Sequence, residues 1–254
     1  MNDTLIAGQP IWPLVYLGAI AFIAALARGF SGFGGALIFV PLASAVFGPQ
    51  VAAPILMLVD GVLQLSLMKN AWQLARRGEA GIMALGALAG IPLGVLALKH
   101  LDPVVLRWGI SGLTVAMLAL LVSGWRYHGA PKPPITIGVG FVSGLLSGAI
   151  QAGGPPVVAY WLGGGNTAAT MRANIILFFF CTSLASGITY LVAGLLDSGV
   201  LLLTLVAAPG YALGLYFGTR MFNLASERSF RRACYLLIAA AALVSLPALD
   251  SVLR

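Results

Sequence analysis

Two glycine-rich clusters hold the residues of this chain best suited to binding chemistry. Gly29-Phe30-Ser31-Gly32-Phe33-Gly34-Gly35 interrupts one apolar stretch. Gly148-Ala149-Ile150-Gln151-Ala152-Gly153-Gly154-Pro155-Pro156 interrupts another, 119 positions on from Gly29 to Gly148. Glycine and proline disfavour helix interiors. A helix that restarts after Gly35 or Gly154 aims N–H groups without intrahelical partners at the break, and its dipole puts partial positive charge there. Such an end suits an anion. Pro155 and Pro156 fit a first helical turn, where no N–H is needed. The candidate substrate ligands are therefore the backbone around Gly32, Gly34 and Gly35, and around Gly153, Gly154 and Pro155. Ser31, Gln151 and Asn174 are candidates for added side-chain hydrogen bonds. The competing use of these glycines is close helix packing, as small residues provide in membranes.

Charged side chains near these clusters extend the reading. Arg28 stands just before the first cluster, and Arg172 opens an apolar segment that also holds Asn174. Either guanidinium can snorkel to an interface or turn inward and grip an oxyanion with two parallel N–H bonds. Asp60 lies within Leu56-Met57-Leu58-Val59-Asp60-Gly61-Val62-Leu63-Gln64, near the middle of its segment. A carboxylate at that depth costs at least about 2.5 kcal/mol, so it faces a cavity or a partner, or is protonated. Gln64 is one turn on and shares its face. The pair is a candidate for proton coupling or gating, against the alternative of a carboxylate locked to a neighbour for structure.

Other chemistries find little support. Cys181 and Cys234 lie within apolar runs and read as packing residues. His100 and His128 are isolated, so no metal site is expected. No cofactor is indicated, and without a nucleotide-binding loop an ATP-driven mechanism would need a partner chain. No nucleic-acid motif accompanies the net charge of +7. No Ser/His/Asp constellation suggests an enzyme. Trp72, Trp108, Trp125 and Trp161 stand near segment ends and read as interfacial anchors.

The elements that must position these residues are membrane helices. The chain is 60% hydrophobic and 8% charged, where soluble domains carry roughly 25% charged residues. An all-α polytopic membrane protein follows, with the lipid bilayer as its surroundings. A span needs about 20 apolar residues. Apolar segments cover residues 10–28, 36–47, 51–68, 81–98 and 104–123, then 135–150, 155–164, 173–196, 199–219 and 233–249. The second segment of each set is short, a half-helix or one limb of a broken span. The N-terminus lacks a basic region and a cleavage site, so the first segment reads as a retained helix. The proline-rich stretch 124–134 divides a first repeat, 1–123, from a second, 135–254. Gly90-Ile91-Pro92-Leu93-Gly94 matches Gly210-Tyr211-Ala212-Leu213-Gly214, which supports duplication.

Orientation follows from the basic residues. If each half crosses an odd net number of times, Arg28, Lys69, Arg76, Arg77, Arg126, Lys132, Arg172, Arg220, Arg228, Arg231 and Arg232 share one side. Lys99, Arg107 and Arg254 take the other, completing the 14 basic residues. An even number nearly erases the bias. Inverted-topology repeats with a cytoplasmic linker and both termini periplasmic are predicted. Lipid cannot satisfy broken backbone, so matched breaks in two halves point to a transport site at the repeat interface.

The chain resembles the sulfite exporter TauE/SafE family, also called the 4-toluene sulfonate uptake permease family. The likeness rests on Gly-Phe-Gly-Gly at 32–35 followed by Val40-Pro41, on Gly-Gly-Pro-Pro at 153–156, and on the duplicated organisation. It implies a bacterial inner-membrane carrier of sulfur-containing anions such as sulfite, sulfoacetate or other sulfonates, with roughly eight helices. The function expected is secondary transport, as an exporter working by alternating access. Rival readings are an anion channel, a proton-coupled importer of another small organic anion, and a non-transporting membrane subunit. The coupling ion, a proton or another cation, stays open, as does the choice between monomer and homodimer.

Overall fold

The computed structural model describes residues 10–31, 34–127, 129, 132–162, 167–221 and 227–249. Its regular elements are α-helices and one 3₁₀ turn, Pro247–Leu249. The helices are α1 (Ile11–Ser31), α2 (Gly35–Phe47), α3 (Pro49–Leu74), α4 (Arg77–His100) and α5 (Pro103–Ser123). They continue with α6 (Pro133–Ile150), α7 (Gly154–Leu162), α8 (Ala168–Ala193), α9 (Ser198–Met221) and α10 (Glu227–Val244). Counting α1–α2 and α6–α7 each as one broken segment gives the eight expected. Among the described residues, six helices are long and apolar enough to cross a membrane: α1, α4, α5, α6, α8 and α9. α2 has 13 residues and α7 has 9. As helices they reach only about 20 and 14 Å, against a hydrocarbon core of about 30 Å. Neither crosses alone.

The chain forms two compact units, and neither is a sequence half. One combines residues 1–59, 101–119 and 195–254. The other combines residues 60–100 and 120–194. Each unit is organised on one close helix pair, α1 with α9 in the first and α4 with α6 in the second. An offset of five helices turns one pair into the other.

Small residues set both pairs. In α4, a Cβ at Gly86, Gly90 or Gly94 would run into Ile137, Phe141 or Leu145 of α6. In α6, one at Gly140, Gly144 or Gly148 would run into Met83, Ala87 or Ile91 of α4. The spacing of four places all three glycines of each helix on one stripe, so the backbones approach as membrane helices without large side chains do. In the first unit, Gly210, Gly214 and Gly218 of α9 meet Gly18, Phe22 and Leu26 of α1.

Two sequence expectations change here. Gly29 and Gly148 were expected to break helices, yet both lie inside them. A Cβ at Gly29 would meet Leu215 and Thr219, so these two glycines serve packing and the breaks are narrower than the motifs. Trp161 was expected at an interface. It is 1% exposed and packs edge-on against Phe178 of α8, its ring 6.2 Å away. Trp72, Trp108 and Trp125 are at least half exposed.

Candidate functional site: two broken helices

The first break follows α1. Ser31 closes that helix, and Gly32 lies outside the described residues. Gly34 has φ 93°, a left-handed backbone that glycine adopts without steric cost. Its carbonyl accepts the Leu37 N–H at 3.1 Å, which tightens the first turn of α2. Arg28 occupies the last turn of α1. A Cβ on Gly35 would stand 3.1 Å from Arg28 Cβ and 3.5 Å from its Cδ, so the stem of Arg28 lies along the start of α2. A cation there is favourably placed against the partial negative charge at the C-terminus of α1.

The second break joins α6 to α7 through Gln151, Ala152 and Gly153. Gln151 has φ 56°, the one positive φ outside glycine among the described residues. Its own groups hold it there. The backbone N–H donates to Ser147 O at 3.0 Å, and side-chain Nε2 donates to Ser147 O at 2.8 Å and to the Tyr190 hydroxyl at 3.3 Å. Tyr190 is fully buried and donates to Gly148 O at 2.8 Å. The Ser143 hydroxyl donates to Gly153 O at 2.6 Å. A Cβ at Gly153 would collide with both Ser143 and Ser147. Gly153, Gly154 and Pro155 are buried, so carbonyls freed by the break need donors from the protein. They receive hydroxyls and an amide. The N–H of Gly154 opens α7 and has no intrahelical acceptor. Pro155 and Pro156 follow it and carry no N–H to compete.

The outer end of α7 is also fixed. Tyr127 N–H donates to Ala159 O at 3.0 Å, and the Tyr127 ring stacks on Tyr160 at 5.0 Å. The Tyr160 hydroxyl is hydrogen-bonded to that of Thr136 at 2.5 Å. The linker therefore anchors the short helix that carries the break.

Four predicted residues come together here: Gln151, Gly153, Gly154 and Pro155. Asn174 and Arg172 do not join them. Asn174 sits sixteen residues before Tyr190 on α8, about 24 Å at the helical rise. It is fully buried, accepting the Arg76 N–H at 2.7 Å and donating to Glu79 at 3.5 Å. It thus fastens the N-terminus of α4 to α8. Arg172 is exposed beside it.

Asp60 and Gln64 form a pair on α3. Gln64 Nε2 donates to Asp60 Oδ2 at 2.7 Å, while Gln64 Oε1 is buried and meets no donor among the described residues. Arg107, read from sequence only as a topology marker, is 7% exposed. Its guanidinium donates to Ser245 O at 3.1 Å just past the C-terminus of α10, a favourable place for a cation. The Ser111 and Ser245 hydroxyls meet at 2.7 Å beside it.

Span-length apolar helices with glycine breaks between them define the class: a multi-pass helical membrane protein. The family model for the sulfite exporter TauE/SafE matches residues 17–245. The chain therefore belongs to that family, one of membrane transporters of small anions. No curated protein and no solved structure matches it.

Proposed function

We propose that this protein is a secondary transporter exporting sulfur-containing anions, such as sulfite, sulfoacetate or other organosulfonates, by alternating access across the bacterial inner membrane. What supports the reading, beyond family membership, is the second break. Its freed carbonyls are covered by donors, and the first N–H groups of α7 have no intrahelical acceptor. The start of α2 and the start of α7 each offer backbone N–H groups to an oxyanion. Arg28 adds charge at the first. Arg172, exposed and distant along α8, draws anions to the protein rather than gripping them.

An inside-negative potential drives anion exit by about 2.3 kcal/mol per charge per 100 mV. Export therefore needs no coupling ion, and uptake does. Asp60 with Gln64 is the candidate coupling pair. The split of basic residues supports inverted repeats with both termini periplasmic, and the exchange of α1·α9 for α4·α6 under a five-helix offset supports duplication. Transport rather than catalysis is the role.

The test is flux of sulfite and a panel of sulfonates in proteoliposomes, with and without imposed potential and pH gradients. Saturable flux of a sulfur oxyanion, accelerated by a potential negative on the loaded side, is expected. Absence of flux for every anion, with folded and inserted protein, would remove the assignment. Channel-like rates without countertransport would replace the carrier by a channel. Asp60→Asn is expected to abolish any acceleration by a pH gradient. An unchanged response would remove Asp60 from coupling.

A further inference from the structure

The second break brings two opposed helix ends together. α6 ends at Ile150 and α7 begins at Gly154, with three residues between. A helix C-terminus carries about half a negative charge and an N-terminus about half a positive one. An anion at the start of α7 would sit next to the negative end of α6 unless that end were covered.

The cover is specific. Leu146 O accepts the Ala152 N–H at 3.3 Å, and Ser147 O accepts both the backbone and side-chain N–H of Gln151. Because Ala152 N–H turns to Leu146, Gly148 O loses the donor that a continued helix would supply. The Tyr190 hydroxyl takes that place at 2.8 Å, while accepting from Gln151. Tyr190 lies in a different helix, 42 residues beyond Gly148, and belongs to neither glycine motif.

We infer that Tyr190 is a positioning residue for anion binding: its hydroxyl masks the negative end of α6 and locks Gln151 in its left-handed turn. This rests on the proposed anion-binding role of the second break. Removing the hydroxyl leaves Gly148 O as a bare acceptor beside the anion. The penalty scales with the charge of the anion, whereas a purely structural role would affect all substrates alike.

The experiment is concentration-dependent flux in proteoliposomes, using wild type and Tyr190→Phe. It compares sulfite, at a pH where it is a dianion, with a singly charged alkanesulfonate. Loss of one buried hydrogen bond is expected to raise KM for sulfite about 5- to 30-fold, less for the sulfonate, with Vmax kept. An unchanged KM, or an equal rise for both anions, would overturn the inference while leaving transport standing. No saturable flux in wild type would instead overturn the reading beneath it. If Tyr190→Phe does not fold, Gln151→Gly tests the other part of the cover, the locked turn that Tyr190 supports. It keeps the positive φ, removes the amide from Ser147 O, and is expected to show the same charge-dependent rise in KM.

Discussion

At the first break, the C-terminal turn of α1 carries a guanidinium, that of Arg28, whose stem lies along the start of α2. At the second, the C-terminal turn of α6 carries no basic residue, and its carbonyls are covered by the neutral donors of Gln151 and Tyr190. Both arrangements offset a negative helix end beside a positive one, but they act over different distances. A guanidinium attracts anions from afar and is screened by salt. A buried hydroxyl acts only at contact and is indifferent to salt. The backbone solutions differ as well. Gly34 takes its positive φ with no side chain. Gln151 takes its own with side-chain hydrogen bonds to offset the strain. In the proposed carrier, the first break therefore supplies long-range attraction and the second supplies contact affinity.

Substitutions can break this comparison or sharpen it. The largest effect is expected away from both breaks. Gly90→Leu would drive a side chain into the Phe141 and Leu145 backbone. It is expected to cost more than the roughly 1–3 kcal/mol usual for overpacking. Thermal unfolding in detergent checks this, with Gly138→Ala as the silent control, since nothing lies within 4 Å of a Cβ there.

Next comes Gly153→Ala, which places a methyl against Ser143 and Ser147. Flux is expected to fall about 5- to 150-fold in a protein that still inserts, from roughly 1–3 kcal/mol of overpacking at the binding turn. Gly34→Ala is expected to do less. Its methyl must adopt φ 93°, at about 1–2 kcal/mol. Equal losses at the two positions would erase the distinction between a crowded turn and a strained one.

The smallest effect is expected for Arg28→Gln. A cation at a helix C-terminus contributes about 0.3–1 kcal/mol, so KM should rise about 2- to 5-fold. The salt dependence of KM should weaken as well. A salt dependence unchanged from wild type would deny Arg28 its long-range role.

Much of this architecture could be read from the chain. Length, apolarity and segment spacing give the helices, because lipid leaves few other ways to satisfy a backbone. The breaks were legible because Gly-Gly-Pro-Pro has few other uses. Gly29 and Gly148 show where that legibility ends. A glycine that opens a turn and one that admits a neighbouring backbone look alike until the neighbour is known. Ser143 and Tyr190 were missed for a related reason. A serine or tyrosine in an apolar run carries no periodic signal, and the partners of Tyr190 are 39 and 42 positions away. Trp161 was misplaced because closeness to a segment end implies an interface only when that end is not packed inside. The mixing of both halves in each compact unit had no local signal, since it depends on which glycine stripes meet.

The central claim is that each of the two helix starts binds an anion through its backbone N–H groups. Hydrogen–deuterium exchange on the reconstituted protein, with and without saturating sulfite, tests it most directly. The expected result is slower exchange of the amides of Gly34, Gly35 and Ala36 and of Gly153 and Gly154, with the Gly86–Gly94 stretch unaffected. Unchanged exchange at both breaks, in protein shown to transport sulfite, would contradict it.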